Sequence, residues 1–108
     1  MIAYLMLEIR IEGAQSLKDR RQVVRSVKDG LRRHFNVAVA EVDVTNAWQR
    51  ATIGVVSISD SRDYLDGLMR NVERHAMKVA NNAGGEVTES YLDFLSEAEF
   101  GGHLTGES

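Results

Sequence analysis

At 108 residues the chain fits one domain, and 44% hydrophobic with 27% charged residues is the balance of an ordinary globular fold. The absence of cysteine excludes disulfides, thiolate nucleophiles and thiolate metal sites, and it favours an intracellular, cytoplasmic setting. The net charge of −3 hides a polarity: residues 16–34 carry seven basic and two acidic residues (+5), the remainder six and fourteen (−8).

The opening MIAYLMLEIRIE has no basic region ahead of its apolar run and meets charge at Glu8 and Arg10, so no signal peptide is expected. No run approaches the roughly 20 apolar residues of a membrane span. From Ile2 to Ile11 the odd positions (Ala3, Leu5, Leu7, Ile9, Ile11) are uniformly apolar, while the even ones include Tyr4, Glu8 and Arg10. That alternation predicts a strand with one face in a core, ended by Gly13.

Ser16, with Asp19 three residues on, predicts a helix start, and Leu17, Val24, Val27, Leu31 and Phe35 recur at helical spacing. Gly30 inside it costs roughly 1 kcal/mol relative to Ala, which points to close packing on a neighbour. A second strand is expected over 37–44 and a third over 48–58, joined as an antiparallel hairpin through 45–47. Ser59, Asp60 and Ser61 precede a second helix with a clean apolar face (Leu65, Leu68, Met69, Val72, Ala76, Val79, Ala80), stopped by Asn81-Asn82 and Gly84-Gly85. A last strand is expected over 86–95, closing a single domain at 1–95. Residues 96–108 lack periodicity and read as a mobile tail.

The order β-α-β-β-α-β with right-handed crossovers predicts an α+β, ferredoxin-like domain: a four-stranded antiparallel sheet with both helices on one face and the other face open.

On the first helix, Lys18, Arg21, Arg25, Lys28 and Arg32 step by three and four residues and share an arc of about 80° beside the apolar one, a line about 21 Å long. Like charges at these separations repel by a few tenths of a kcal/mol per pair, so something should compensate. One compensation is an anionic partner such as a nucleic-acid backbone. The other is internal, with Asp66 and Glu73 of the second helix reaching the stripe. Arg20 projects into the apolar arc instead. It either snorkels past the sheet edge or forms a buried pair with a strand carboxylate such as Glu41 or Asp43.

On the open face, Tyr4 and Trp48 could stack on unpaired bases, beside Gln49 and Arg50. Ile2, Tyr4, Met6 and Val56 could equally form an apolar patch pairing two subunits, and this homo-oligomer is the favoured use of that face. Signals for catalysis are sparse. His34, His75 and His103 have no second ligand at metal-binding spacing, and no phosphate loop, nucleophile elbow or dinucleotide fingerprint occurs. Glu41 and Asp43 point to one side of a strand, a weak signal for an acid pair or metal site. No catalytic residue, metal or cofactor is assigned.

The stretch SLKDRRQVVRSVKDGLRRHFNVAVAEVD followed by AWQRATIGV resembles the bacterial YlxP-like family, a domain of unknown function, over about residues 1–95. The resemblance implies a ferredoxin-like fold and no enzymatic activity. Its members' gene neighbourhoods imply a translation-linked role. Members often carry a His-Gln-Asp run before the Trp. Val44, Thr45 and Asn46 stand there in this chain, so a mechanism built on that His is not implied here.

Three readings follow. The first is a non-enzymatic RNA- or ribosome-associated module using the basic stripe, and the second a homo-oligomeric interaction domain using the open sheet face. The third is a small-molecule or metal enzyme around Glu41, Asp43, Trp48 and Arg50.

Overall fold

The computed structural model describes residues 1–13, 16–42 and 49–100. Among them run β1 (Ile2–Arg10), α1 (Leu17–His34), β2 (Ala38–Val42), β3 (Arg50–Ile58), α2 (Arg62–Ala83), β4 (Glu86–Leu95) and a single turn, α3 (Glu97–Phe100). The four strands form one antiparallel sheet in the order β2-β3-β1-β4. This is the ferredoxin-like arrangement expected from the residue pattern.

The period-two pattern of β1 divides the two faces. Ala3, Leu5, Leu7 and Ile9 are buried beneath the helices, joined by Val39 of β2 and Ala51, Ile53 and Val55 of β3. From above, α1 contributes Val23, Val24, Val27 and Leu31, and α2 contributes Leu65, Met69, Val72, Ala76 and Ala80. Both helices bury a 3.6-period stripe against the sheet, and this burial is their main source of stability.

The helix ends follow from local chemistry. The hydroxyl of Ser16 accepts from the Asp19 N–H at 3.3 Å, and that of Ser61 accepts from the Tyr64 N–H at 3.1 Å. Gly84 closes α2 at φ +100, a left-handed conformation that disfavours any residue with a Cβ. The Gly85 N–H then reaches the Ala80 carbonyl at 2.7 Å.

In β4 the register shifts between the partners of Glu8 and Ile9. Thr88 is left over opposite β1, a β-bulge that bends the strand. At the C-terminal end, the Ser96 hydroxyl donates to Glu99 Oε1 at 3.0 Å and the Glu99 N–H reaches the Ser96 carbonyl, also at 3.0 Å. This capping-box spacing starts the short α3 inside a stretch that reads as tail from periodicity alone. The expected hairpin turn at 45–47 and residues 101–108 lie outside the described residues.

Candidate functional site

The orientation of α1 decides what its charges can meet. Arg20, Val24, Val27 and Leu31 point down onto the sheet and are buried. Gly30 and His34 turn toward α2: a Cβ at Gly30 would lie 3.3 Å from His75 Nε2, and the His34 and His75 rings are 4.4 Å apart. The stripe therefore lies on the opposite flank, over the edge strand β2. Arg32 confirms this placement, because its Nη2 donates to the Val39 carbonyl of β2 at 2.8 Å.

Internal pairing of the stripe with Asp66 and Glu73 does not occur. Asp66 accepts from Arg70 Nε at 2.7 Å on its own helix, and Glu73 accepts from the Ser90 hydroxyl of β4. Both acids lie on the flank of α2 that faces away from α1. Hydrogen bonding by Asp66 and the charges of Asp66 and Glu73 together raise the Arg70 pKa.

On the stripe itself, Arg21, Arg25, Lys28 and Arg32 border a shallow groove of about 290 Å³, with Val24 and Asp29 as its other lining residues. Lys18 stands one turn before it, exposed. Arg32 has Asp29 at 4.0 Å, whereas Arg21, Arg25 and Lys28 have no acidic partner among the described residues. The result is a row of cations at helical intervals, held against a sheet edge and open to solvent.

Arg20 belongs to a different structure. It is only 6% exposed, its Nη2 meets Glu41 Oε2 of β2, and its Nε donates to the Arg50 carbonyl at 3.2 Å. A charge buried to this degree needs both a counter-charge and hydrogen bonds, and Arg20 has both. The buried pair is the correct one of the two expectations for Arg20.

Glu41 thereby leaves the enzyme reading. Its carboxylate lies on the helix side of the sheet against Arg20, while the Arg50 side chain belongs to the open face, opposite Arg10 in register. The two do not share a site. Asp43 and Trp48 lie outside the described residues; Gln49 is exposed, and its carbonyl accepts from the Ile11 N–H at 2.8 Å.

On the open face, Tyr4 does not stand clear of the sheet. A Cβ at Gly54 would fall 3.3 Å from its ring and 3.2 Å from Val42 Cγ1. The ring reaches over Gly54, where β3 itself has no side chain. Further along, the face is apolar and exposed: Val56, Leu95, Tyr91 at 57% and Ile58 at 67%. Toward the β4 bulge it becomes polar, with a hollow of about 400 Å³ bordered by Met6, Glu8, Arg50, Thr52 and Tyr91 among others. There the Thr52 hydroxyl donates to Glu8 Oε1 at 2.5 Å.

A cluster that spacing alone did not single out joins α1 to α2. His75 packs edge-on against Phe35 at 5.5 Å and tilted against His34 at 4.4 Å, and its Nε2 is shut from solvent without a hydrogen-bond partner among the described residues. His34 Nδ1–H donates to the Gly30 carbonyl at 2.9 Å. Desolvation first, then the neighbouring His34 and Lys78, lowers the His75 pKa. The signal in the sequence was Gly30, whose missing side chain makes room for the ring. Among the described residues no three or more His, Cys, Asp or Glu side chains gather as a metal site would require. No helix among them is long and apolar enough to cross a membrane.

Residues 2–91 match the model of the family described as "Protein of unknown function (DUF503)". The chain belongs to this family. It is 34% identical over 62 residues to the "Uncharacterized protein YlxP" of Bacillus subtilis (strain 168), which covers 57% of this chain and 67% of that protein. Family membership thus agrees with the YlxP-like resemblance seen in the residues.

Two solved structures share the architecture at low identity. The de novo designed protein Foldit4 aligns over 89% of this chain and all of its own, with TM-score 0.56 and 16% identity. A C-terminal segment of the alpha subunit of aIF2 from Pyrococcus abyssi aligns over 90% of this chain with TM-score 0.50 and 13% identity. This chain spans about half of that segment, 51%. At such identities the likeness is one of fold.

Proposed function

We propose that the chain is a non-enzymatic RNA- or ribosome-associated binding module, working in the cytoplasm, whose contact surface is the basic flank of α1. The observation that carries this reading is that Arg21, Arg25 and Lys28 have no acidic partner among the described residues along the groove they border with Arg32. A helix that places like charges at three- and four-residue intervals accepts a repulsive cost at each step. With the acids of α2 turned away, Asp29 meets Arg32 at 4.0 Å, and no ion pair among the described residues reaches Arg21, Arg25 or Lys28. A polyanion would, and arginine forks suit phosphate oxygens. The translation-linked setting implied by the family resemblance agrees with such a partner.

The test is binding to a structured RNA at increasing salt, by fluorescence anisotropy. Wild type should bind at low salt and weaken steeply as salt rises, and an Arg21→Ala, Arg25→Ala, Arg32→Ala variant should lose most of the affinity. Flat curves for both proteins at low salt would end the proposal.

A second reading rests on the open sheet face, where Val56, Ile58, Tyr91 and Leu95 are exposed around Ile2 and Tyr4, with Asp93 the one charge between Tyr91 and Leu95. An apolar strip of this kind suits a homo-oligomeric contact. Sedimentation at micromolar concentration decides it, since a monomer throughout removes this reading and leaves the first intact.

A further inference from the structure

We infer that the polyanion received along α1 is an RNA double helix, gripped through its phosphates without regard to sequence; this rests on the stripe being the RNA-facing surface. Three features of the groove separate a duplex from a single strand.

The first is the absence of any aromatic ring among the described residues that line it. Arg21, Val24, Arg25, Lys28, Asp29 and Arg32 line the groove, and none carries an aromatic ring on which a base could stack. Proteins that hold single strands draw much of their affinity from base–aromatic stacking, about 1–3 kcal/mol per base. Tyr4 and Tyr91 lie on the far side of the sheet, and Tyr4 is laid over Gly54. A strand seated on the cations cannot reach those rings.

The second is stiffness. The cations from Arg21 to Arg32 span about 16 Å of one continuous helix. That helix is fixed to β2 near both ends, by Arg20 on Glu41 and by Arg32 on the Val39 carbonyl. A rigid straight row matches the regular phosphate rail of a duplex, whereas a flexible strand must give up conformational freedom to follow it.

The third is charge density. A duplex releases about 0.9 counterions per phosphate neutralised and a single strand about 0.7. With four groove cations engaged, the salt slopes would be about −3.6 and −2.8. Starting from equal affinity at 1 M salt, that difference favours the duplex about sixfold at 0.1 M salt. Sequence independence follows from the A-form duplex itself, whose deep, narrow major groove keeps the arginines and lysine of the lining from base edges and leaves them the phosphates.

The experiment compares a short RNA duplex, a second duplex of unrelated sequence, and an unstructured single strand of the same length, by anisotropy across a salt series. The expected result is about sixfold tighter binding of both duplexes than of the strand near 0.1 M salt, with a slope near −3.6. Arg21→Ala and Arg25→Ala should each reduce that slope by about 1 and weaken both duplexes equally. Both residues are exposed, and unchanged circular dichroism would establish that the variants fold. A single strand bound as tightly as the duplexes, or duplexes differing more than tenfold, would overturn the inference while leaving RNA binding in place. Binding to none of the three would overturn the underlying reading instead.

Discussion

Arg20 and Glu41 meet beneath the first turn of α1, with the guanidinium almost wholly removed from solvent and also donating to the Arg50 carbonyl. The contact ties the start of the helix to the edge strand β2, so one ion pair fixes where the neighbouring basic row stands. Removing either partner strands a buried charge. Arg20→Met or Glu41→Gln should each lower stability by about 2–4 kcal/mol, whereas an Arg20→Met/Glu41→Leu double variant should recover a large part of the loss. Urea denaturation of the four proteins measures it, and a double variant as weak as the singles would contradict the electrostatic account.

Gly30 and His75 form a second coupled pair. Alanine at position 30 gains about 1 kcal/mol of helix propensity, yet its Cβ would press on His75 Nε2 at 3.3 Å while making ordinary contact with Val79 Cγ2 at 3.5 Å. In a His75→Ala background the Gly30→Ala substitution should stabilise by close to that amount. In wild type it should gain less, leaving a coupling of at least about 0.5 kcal/mol in a double-mutant cycle. Equal gains in both backgrounds would show that the ring yields freely.

The lowered His75 pKa gives stability a pH dependence of known sign. Above the unfolded value of about 6.5 the ring is neutral in both states. As pH falls through that value the unfolded chain takes up a proton before the folded one does, so stability declines until the folded ring is also protonated. His75→Phe keeps an aromatic against Phe35 and His34 but cannot titrate. Its denaturation midpoint should therefore fall less than that of wild type between about pH 7.5 and 5.5. Parallel losses in the two proteins would remove His75 as the source.

Gly85 is constrained by space. A Cβ there would stand 2.9 Å from Val23 Cγ1 and 3.3 Å from both the Arg10 carbonyl oxygen and Ile9 Cγ2. Val23 is buried, so the strain cannot be relieved into solvent. Gly85→Ala should cost about 1–3 kcal/mol in thermal or urea unfolding. A neutral outcome would mean that the α2–β4 connection has more freedom than this packing allows.

The fold was legible because each element carried its own period. Alternation in β1 and the 3.6-residue stripe of α2 both translate directly into the observed faces. Arg20 was legible as an anomaly, a charge inside an apolar arc, although the sequence left open whether it would snorkel or pair. What linear spacing could not supply was the rotation of α1 about its axis. The cations of the stripe have the same spacing whether they face α2 or β2. Only the packing of Gly30 on His75 and the reach of Arg32 to Val39 decide between them. The role of Tyr4 was hidden for a similar reason, because the glycine it covers lies 50 residues away on the adjacent strand.

The contact of Arg32 with the Val39 carbonyl bears on more than ligand capture. β2 is a five-residue strand at the margin of the sheet, paired on one side with β3 alone. Such margins invite foreign strands to add on, and natural proteins often guard them with charge. Here a guanidinium already occupies one acceptor of the strand, and a row of cations overhangs the rest. Stripping the row to alanine would therefore uncover an adhesive border as well as abolish a docking surface, and the resulting protein should be more prone to self-association than its wild-type parent.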